Sequence, residues 1–237
     1  MYSKFLFGST LILAAPLAAA QDWDWSVTPY LWASGIEGDA KLGQIETDVS
    51  VHFSDIVDVL AGAALVHVEA QRGGLGFFGD FIYLSLEPDP ETANVGGRTE
   101  TQFDTTIVEL GYLRNFEGSG AGLELGIRYW DFELELRPTT LPSVQRDTDW
   151  VDGFIGIRNS REINDKWNFL ARANIGAGGT DLTYGIDLTF GREFESGSQF
   201  VFGFKLLDID YEEASVNGLP FNLDTMFLGG TIGYLFD

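Results

Sequence analysis

Hydrophobic and polar residues alternate along most of the chain with a period of two, in segments of about ten residues. This is the pattern of strands with one oily and one polar face. Leu182, Tyr184, Ile186, Leu188 and Phe190 oppose Thr183, Gly185, Asp187 and Thr189. Trp167, Phe169, Ala171, Ala173 and Ile175 oppose Asn168, Arg172 and Asn174; Leu123, Leu125, Ile127 and Tyr129 oppose Glu124, Gly126 and Arg128. Val151, Ile155 and Ile157 oppose Asp152 and Arg158, and Phe200, Phe202, Phe204 and Leu206 oppose Gln199, Gly203 and Lys205. Strands are predicted at 23–34, 44–51, 63–71, 75–86, 99–113, 122–137, 149–158, 167–175, 182–192, 199–211 and 223–236.

A soluble sandwich alternates too, with its oily face in a core. Two features favour a membrane: the polar face is rich in Gly and Thr beside isolated charges, and the oily rows begin or end in Trp, Tyr or Phe, as interfacial girdles do. The expected fold is therefore an all-β, transmembrane, antiparallel up-and-down barrel. Eleven predicted strands is odd, whereas bacterial barrels of one chain have even counts. Ten strands is preferred and twelve the alternative. Region 35–62 is the ambiguous part; a short helix is expected near 54–60, capped by Ser54, lying in a loop or plugging the lumen.

The ends add to this picture. Residues 1–20 read as a secretory signal, with Lys4, an apolar stretch from Phe5 to Leu17, and Ala18, Ala19 and Ala20 for cleavage; the barrel then occupies 21–237. Past the leader no apolar run reaches 18 residues, so strands must do any spanning. The links 72–74, 117–121, 160–165 and 195–198 are expected as short periplasmic turns, and 87–98, 138–148 and 212–220 as long outer loops.

A net charge of -22 argues against nucleic acid as a partner, and the absence of cysteine leaves strand pairing and burial to hold the fold. No phosphate-loop motif is present and no cofactor is expected. Two histidines occur. His67 alternates in phase with Glu69 and is a candidate general base, although no recognisable triad accompanies it; His52 is expected to be a solvated loop residue. The inward-phase charges Glu69, Asp80, Glu109, Glu124, Arg128, Asp152, Arg158, Arg172, Asp187 and Lys205 mix both signs and are expected to form a lumen charge network that closes the barrel or lines a narrow, cation-preferring pore. Glu87, Asp89 and Glu91, and Asp208, Asp210, Glu212 and Glu213, are expected as solvated loop faces, with divalent cations bridging them to lipopolysaccharide.

The last strand ends Gly233-Tyr234-Leu235-Phe236-Asp237 and resembles the aromatic-x-Phe signal of outer-membrane barrels, departing from it by the final Asp. With Trp25 to Trp32, Phe53 to Val57 and Gly79 to Tyr83, the chain resembles a widespread proteobacterial family of small, porin-like outer-membrane barrels. That resemblance implies a Gram-negative outer membrane, contact with its lipid and lipopolysaccharide, and handling by the barrel assembly machinery. It carries over no catalytic residues. The expected role is structural or that of a narrow small-solute channel, with a barrel enzyme acting on lipid or peptide and a soluble secreted sandwich as rivals.

Overall fold

The computed structural model describes residues 23–42, 45–87, 91–93, 97–139, 143–216 and 219–237. The predicted leader lies outside them. In chain order the elements are β1 (Asp24–Leu42), β2 (Ile45–Val51), α1 (Phe53–Asp58), β3 (Leu60–Arg72), β4 (Leu75–Leu86), β5 (Glu91–Ala93), β6 (Gly97–Asn115), β7 (Ala121–Pro138), β8 (Val144–Asn164), β9 (Trp167–Gly178), β10 (Leu182–Glu193), β11 (Gln199–Val216) and β12 (Leu219–Leu235). β12 pairs with β1 antiparallel, so the sheet closes on itself. β2 pairs only with the end of β1, and β5 only with β6, which leaves a closed antiparallel barrel of ten strands. The surplus predicted strand was 44–51: it is real, but it is an appendage to β1 and no stave of the barrel.

The wall is held by main-chain pairing, and in two places glycine is required because backbones approach closely. A Cβ on Gly229 would run into the Ala33 carbonyl, and one on Gly203 into that of Leu188, so no larger residue fits between those strands. Both lie in inward-phase positions.

Polarity divides the barrel along its axis. On β7, Leu123, Leu125 and Ile127 face outward and are exposed, while Glu124 and Arg128 face the lumen and are buried. Above Tyr129 the same phase carries the opposite chemistry: Trp130 and Phe132 are buried inside, and Asp131 and Glu133 look out. β8 repeats this, with exposed Val151, Ile155 and Ile157 low on the wall, and buried Trp150 beside outward Asp149 and Asp147 higher up. On β11, Phe202 and Phe204 give way to Asp208 and Asp210, and inward Lys205 gives way to Leu207, Ile209 and Tyr211. The end carrying the C-terminus is thus girdled by apolar side chains, with Leu125 62% and Phe204 61% exposed, and the far end is a collar with an apolar core. The sandwich alternative fails here, because low on the wall the oily rows point away from the enclosed side.

The far-end links are shorter than expected. Strands β6, β7, β8, β11 and β12 continue through most of 97–98, 138, 144–148, 212–216 and 219–220, which the sequence reading placed in loops. The cause is the polarity reversal: where inward residues turn apolar and outward ones acidic, a reading tuned to an oily outer row sees the strand stop. The helix spans Phe53–Asp58 rather than 54–60, and His52, not Ser54, stands at its N-cap, where its N–H donates to Asp55 at 3.3 Å. It sits against β1 beyond the strands, with Ile56 buried and Phe53 and Val57 exposed; the lumen is filled by side chains from the staves.

Candidate functional site

Inward side chains cross the lumen in three levels. At the far end, Trp130, Phe132, Trp150 and Tyr211 stack in sequence, with Trp150 and Tyr211 ring centres 4.2 Å apart, although their strands β8 and β11 are not neighbours. Ile82, Ile107, Leu207 and Ile209 complete this buried cluster. Trp32 reaches from β1 to donate its indole N–H to the Lys205 carbonyl at 3.3 Å.

Beneath lies the charged level. Arg128 has no exposed surface; it donates to Glu109 at 2.8 Å, Asn174 Oδ1 at 2.8 Å and Thr183 Oγ1 at 3.0 Å, tying β7 to β6, β9 and β10. Its guanidinium also lies over the rings of Trp130 and Phe154. Arg172 makes a forked pair with Glu124, 2.9 Å and 3.0 Å, and stands 4.7 Å over Phe78 across the barrel. Asp152 accepts from the Trp130 indole at 2.8 Å and from the Thr180 main chain at 2.8 Å. Lys205 meets Asp187 at 3.1 Å, and Arg158 reaches from β8 to Glu69 on β3 at 2.9 Å. These pairings meet the requirement that ionised groups taken out of water find opposite charge and hydrogen bonds.

The third level is a cup of about 550 Å³ whose lining runs to Asp237 at the end carrying the C-terminus. Tyr30, His67, Asp80, Arg172, Asp187 and Lys205 form its floor; Glu162, Asn164, Asp165, Glu193 and Asp237 stand at its rim. Tyr30 donates to Asp80 at 2.7 Å. His67 has Nδ1 3.1 Å from Asp80 and Nε2 3.5 Å from Glu69, and its ring stacks on Phe78. Gln71 donates to Glu69 and accepts from Asn115, closing the level laterally.

All ten inward-phase charges, Glu69, Asp80, Glu109, Glu124, Arg128, Asp152, Arg158, Arg172, Asp187 and Lys205, lie on the lumen side. Sequence reasoning missed their neutral partners Tyr30, Asn174 and Thr183, and the aromatic stack above them. Phase alone places all of these inside, but nothing in a single strand says which positions meet across the lumen. His52 is exposed, and Asp208, Asp210, Glu212 and Glu213 stand on strand β11 and Glu91 on β5, not in loops. Asp89 lies outside the described residues. Among the described residues no group of three or more His, Cys, Asp or Glu is arranged to hold a metal ion.

A closed ten-stranded barrel, greasy outside and packed with crossing side chains inside, defines the class of membrane β-barrels. One solved structure agrees at the level of fold. The Escherichia coli outer membrane protease OmpT superposes with a TM-score of 0.51 at 10% identity, covering 90% of this chain and 96% of that one. The translocator domain of the autotransporter NalP from Neisseria meningitidis gives 0.43 at 14% identity, covering 88% of each chain. Ail, the attachment invasion locus protein of Yersinia pestis, gives 0.42 at 9% identity, covering 90% and 98%. No family model matches the chain, and no curated protein sequence matches it.

Proposed function

We propose that the protein is an outer-membrane β-barrel that is sealed along its axis and presents a blind charged cup to the periplasm. The cup faces the periplasm because short turns, the first described residues of β1 and the C-terminal residue gather at its end, as short turns do on the periplasmic side of such barrels. The observation that supports the reading is Arg128: wholly buried, bonded to three other strands and packed under Trp130, it stands across the lumen. The role is structural, or that of an envelope binding protein working from the cup. A narrow channel would need both the aromatic and the charged level to part. Purified protein in planar bilayers is expected to give no stepwise conductance across the voltage range, and reproducible wild-type openings would refute the sealed reading.

The enzymatic alternative has one observation in its favour, that His67 looks into the cup. Against it, both ring nitrogens already face carboxylates, so neither is free to take a proton from a substrate. A His67→Ala variant is expected to leave the lipid composition of the envelope unchanged; an accumulated substrate would revive the alternative.

A further inference from the structure

The wall is incomplete at one seam. Pairing between β1 and β3 runs from Asp24 and Gln71 to Pro29 and Val66 and then stops, and from Ile36 onward the free edge of β1 turns to β2. Because Pro29 has no N–H, its pairing with Val66 is made by the flanking Tyr30 N–H and Leu65 carbonyl, and among the described residues no pairing joins 31–35 of β1 to 60–64 of β3. Val27 exchanges both main-chain hydrogen bonds with Phe236, so the even-numbered residues of β1 turn their N–H and C=O groups to the β3 side. The Tyr30 carbonyl and both main-chain groups of Trp32 and Ser34 face the gap.

This gap lies at the height of the apolar girdle. Leu31 and Gly35 pair with Ile232 and Leu228 of β12, and Leu31, Leu228 and Ile232 are exposed apolar side chains. Main-chain groups bare in hydrocarbon cost several kcal/mol each, and such edges persist only where they line a wet cavity or are covered. A wet cavity is at hand at the lower end of the gap, while Trp32 and Leu65 higher up pack against the far-end apolar cluster. Tyr30, where the pairing of β1 with β3 ends, also lines the cup, as do Thr28 and His67 at the last pairs below it. On the β3 edge Ala61, Ala63 and Ala64 are all exposed, although Ala63 and Ala64 have opposite phase, so the edge is open on both faces between the bulkier Leu60 and Leu65.

We propose that this gap is a lateral portal joining the cup to the bilayer, and that cup and portal together bind a single-chain amphiphile, its polar head in the cup and its hydrocarbon tail between β1 and β3. The head carries an amine. The floor cations Arg158, Arg172 and Lys205 are already tied to carboxylates, and rim residues Glu162, Asp165 and Glu193 have no ion pair among the described residues, so the cup disfavours an anionic head. The portal is independent of axial sealing, since a barrel closed along its axis can still open sideways.

The chain has no cysteine, so a single thiol reports cleanly. Ala63→Cys carrying a bimane fluorophore is compared, in phosphatidylcholine vesicles, with Thr189→Cys, which lies in the cup on fully paired β10. Lysophosphatidylethanolamine brominated at mid-chain is expected to quench the label at 63 saturably and several-fold more than at 189. Unbrominated lysophosphatidylethanolamine should compete, lysophosphatidylglycerol should not, and Glu162→Gln with Glu193→Gln should weaken quenching several-fold. Equal quenching at both labels, or quenching matched by brominated bilayer phosphatidylcholine, overturns the portal. Equal competition by the anionic lysolipid overturns the head-group assignment. Heat-modifiable mobility on gels confirms folding of each labelled protein, and a label at Ala61→Cys repeats the test if the first does not fold.

Discussion

Replacing Arg128 by Met removes the charge at the centre of the lumen and keeps an unbranched apolar side chain under Trp130. Glu109, 4% exposed, then loses its closest cation, and Asn174 and Thr183 each lose a donor. Breaking a buried ion pair from one side costs about 3–5 kcal/mol, because the remaining charge stays buried and unpaired. That is roughly two to three and a half powers of ten in the folding equilibrium, at about 1.4 kcal/mol for each tenfold step. Arg172, at 3.7 Å from the second oxygen of Glu109, softens the loss and argues for the lower part of that range. The double variant Arg128→Met with Glu109→Met removes both charges, and is expected within about 1 kcal/mol of wild type, since apolar replacement of a whole buried pair is often neutral or better. The assay is reversible urea unfolding from phospholipid vesicles followed by tryptophan fluorescence, with unchanged m-values as the check on a common unfolded state. The reasoning fails if the single variant loses under about 1 kcal/mol, or if the double variant loses as much as the two singles summed.

Other expectations follow from the same geometry. Gly126→Val would place its Cβ 2.5 Å from Phe154 and from the Leu110 carbonyl, and should lower stability by about 1–3 kcal/mol in the same titration. Asp131 and Asp149 stand directly opposite on the outer face of the collar, so Asp149→Lys should raise stability by about 0.2–1 kcal/mol, a gain that shrinks with added salt. Trp130→Ala combined with Trp150→Ala should cost at least about 3 kcal/mol yet leave the barrel non-conducting, because the Arg158 and Arg172 crossings remain; stepwise currents from this variant would show that the aromatic level alone makes the seal.

Much of this architecture is legible in single strands, and the reasons for the exceptions are physical. Low on β7, Leu123 to Tyr129 against Glu124 to Arg128 shows the phase, and that phase holds for the whole stave. What a local reading misses is that the stave passes through two solvents. Where hydrocarbon ends, Trp130 and Asp131 exchange chemistry without exchanging sides, so collar strands such as the upper halves of β8 and β11 look like loops. β2 is misplaced for a different reason: seven residues with strand character pair equally well inside a barrel or on top of one, and only the closure of β12 on β1 decides. The lumen charges are visible as inward-phase residues, but their partners lie far along the chain, 19 positions away for Glu109 and Arg128 and 89 for Glu69 and Arg158, and depend on barrel diameter and stagger.

The acidic outer face of the collar also sets how the molecule is seated. Asp131, Glu133, Asp147, Asp149, Asp208 and Asp210 sit immediately above the greasy girdle on three staves. Were the barrel to sink toward the cup side, each would enter hydrocarbon at a cost of about 2.5–3.5 kcal/mol near the midplane on insertion scales. The collar works as a flange: the polypeptide is stopped at one depth and cannot slip back through the bilayer once its far rim has crossed, whichever lipids happen to surround it.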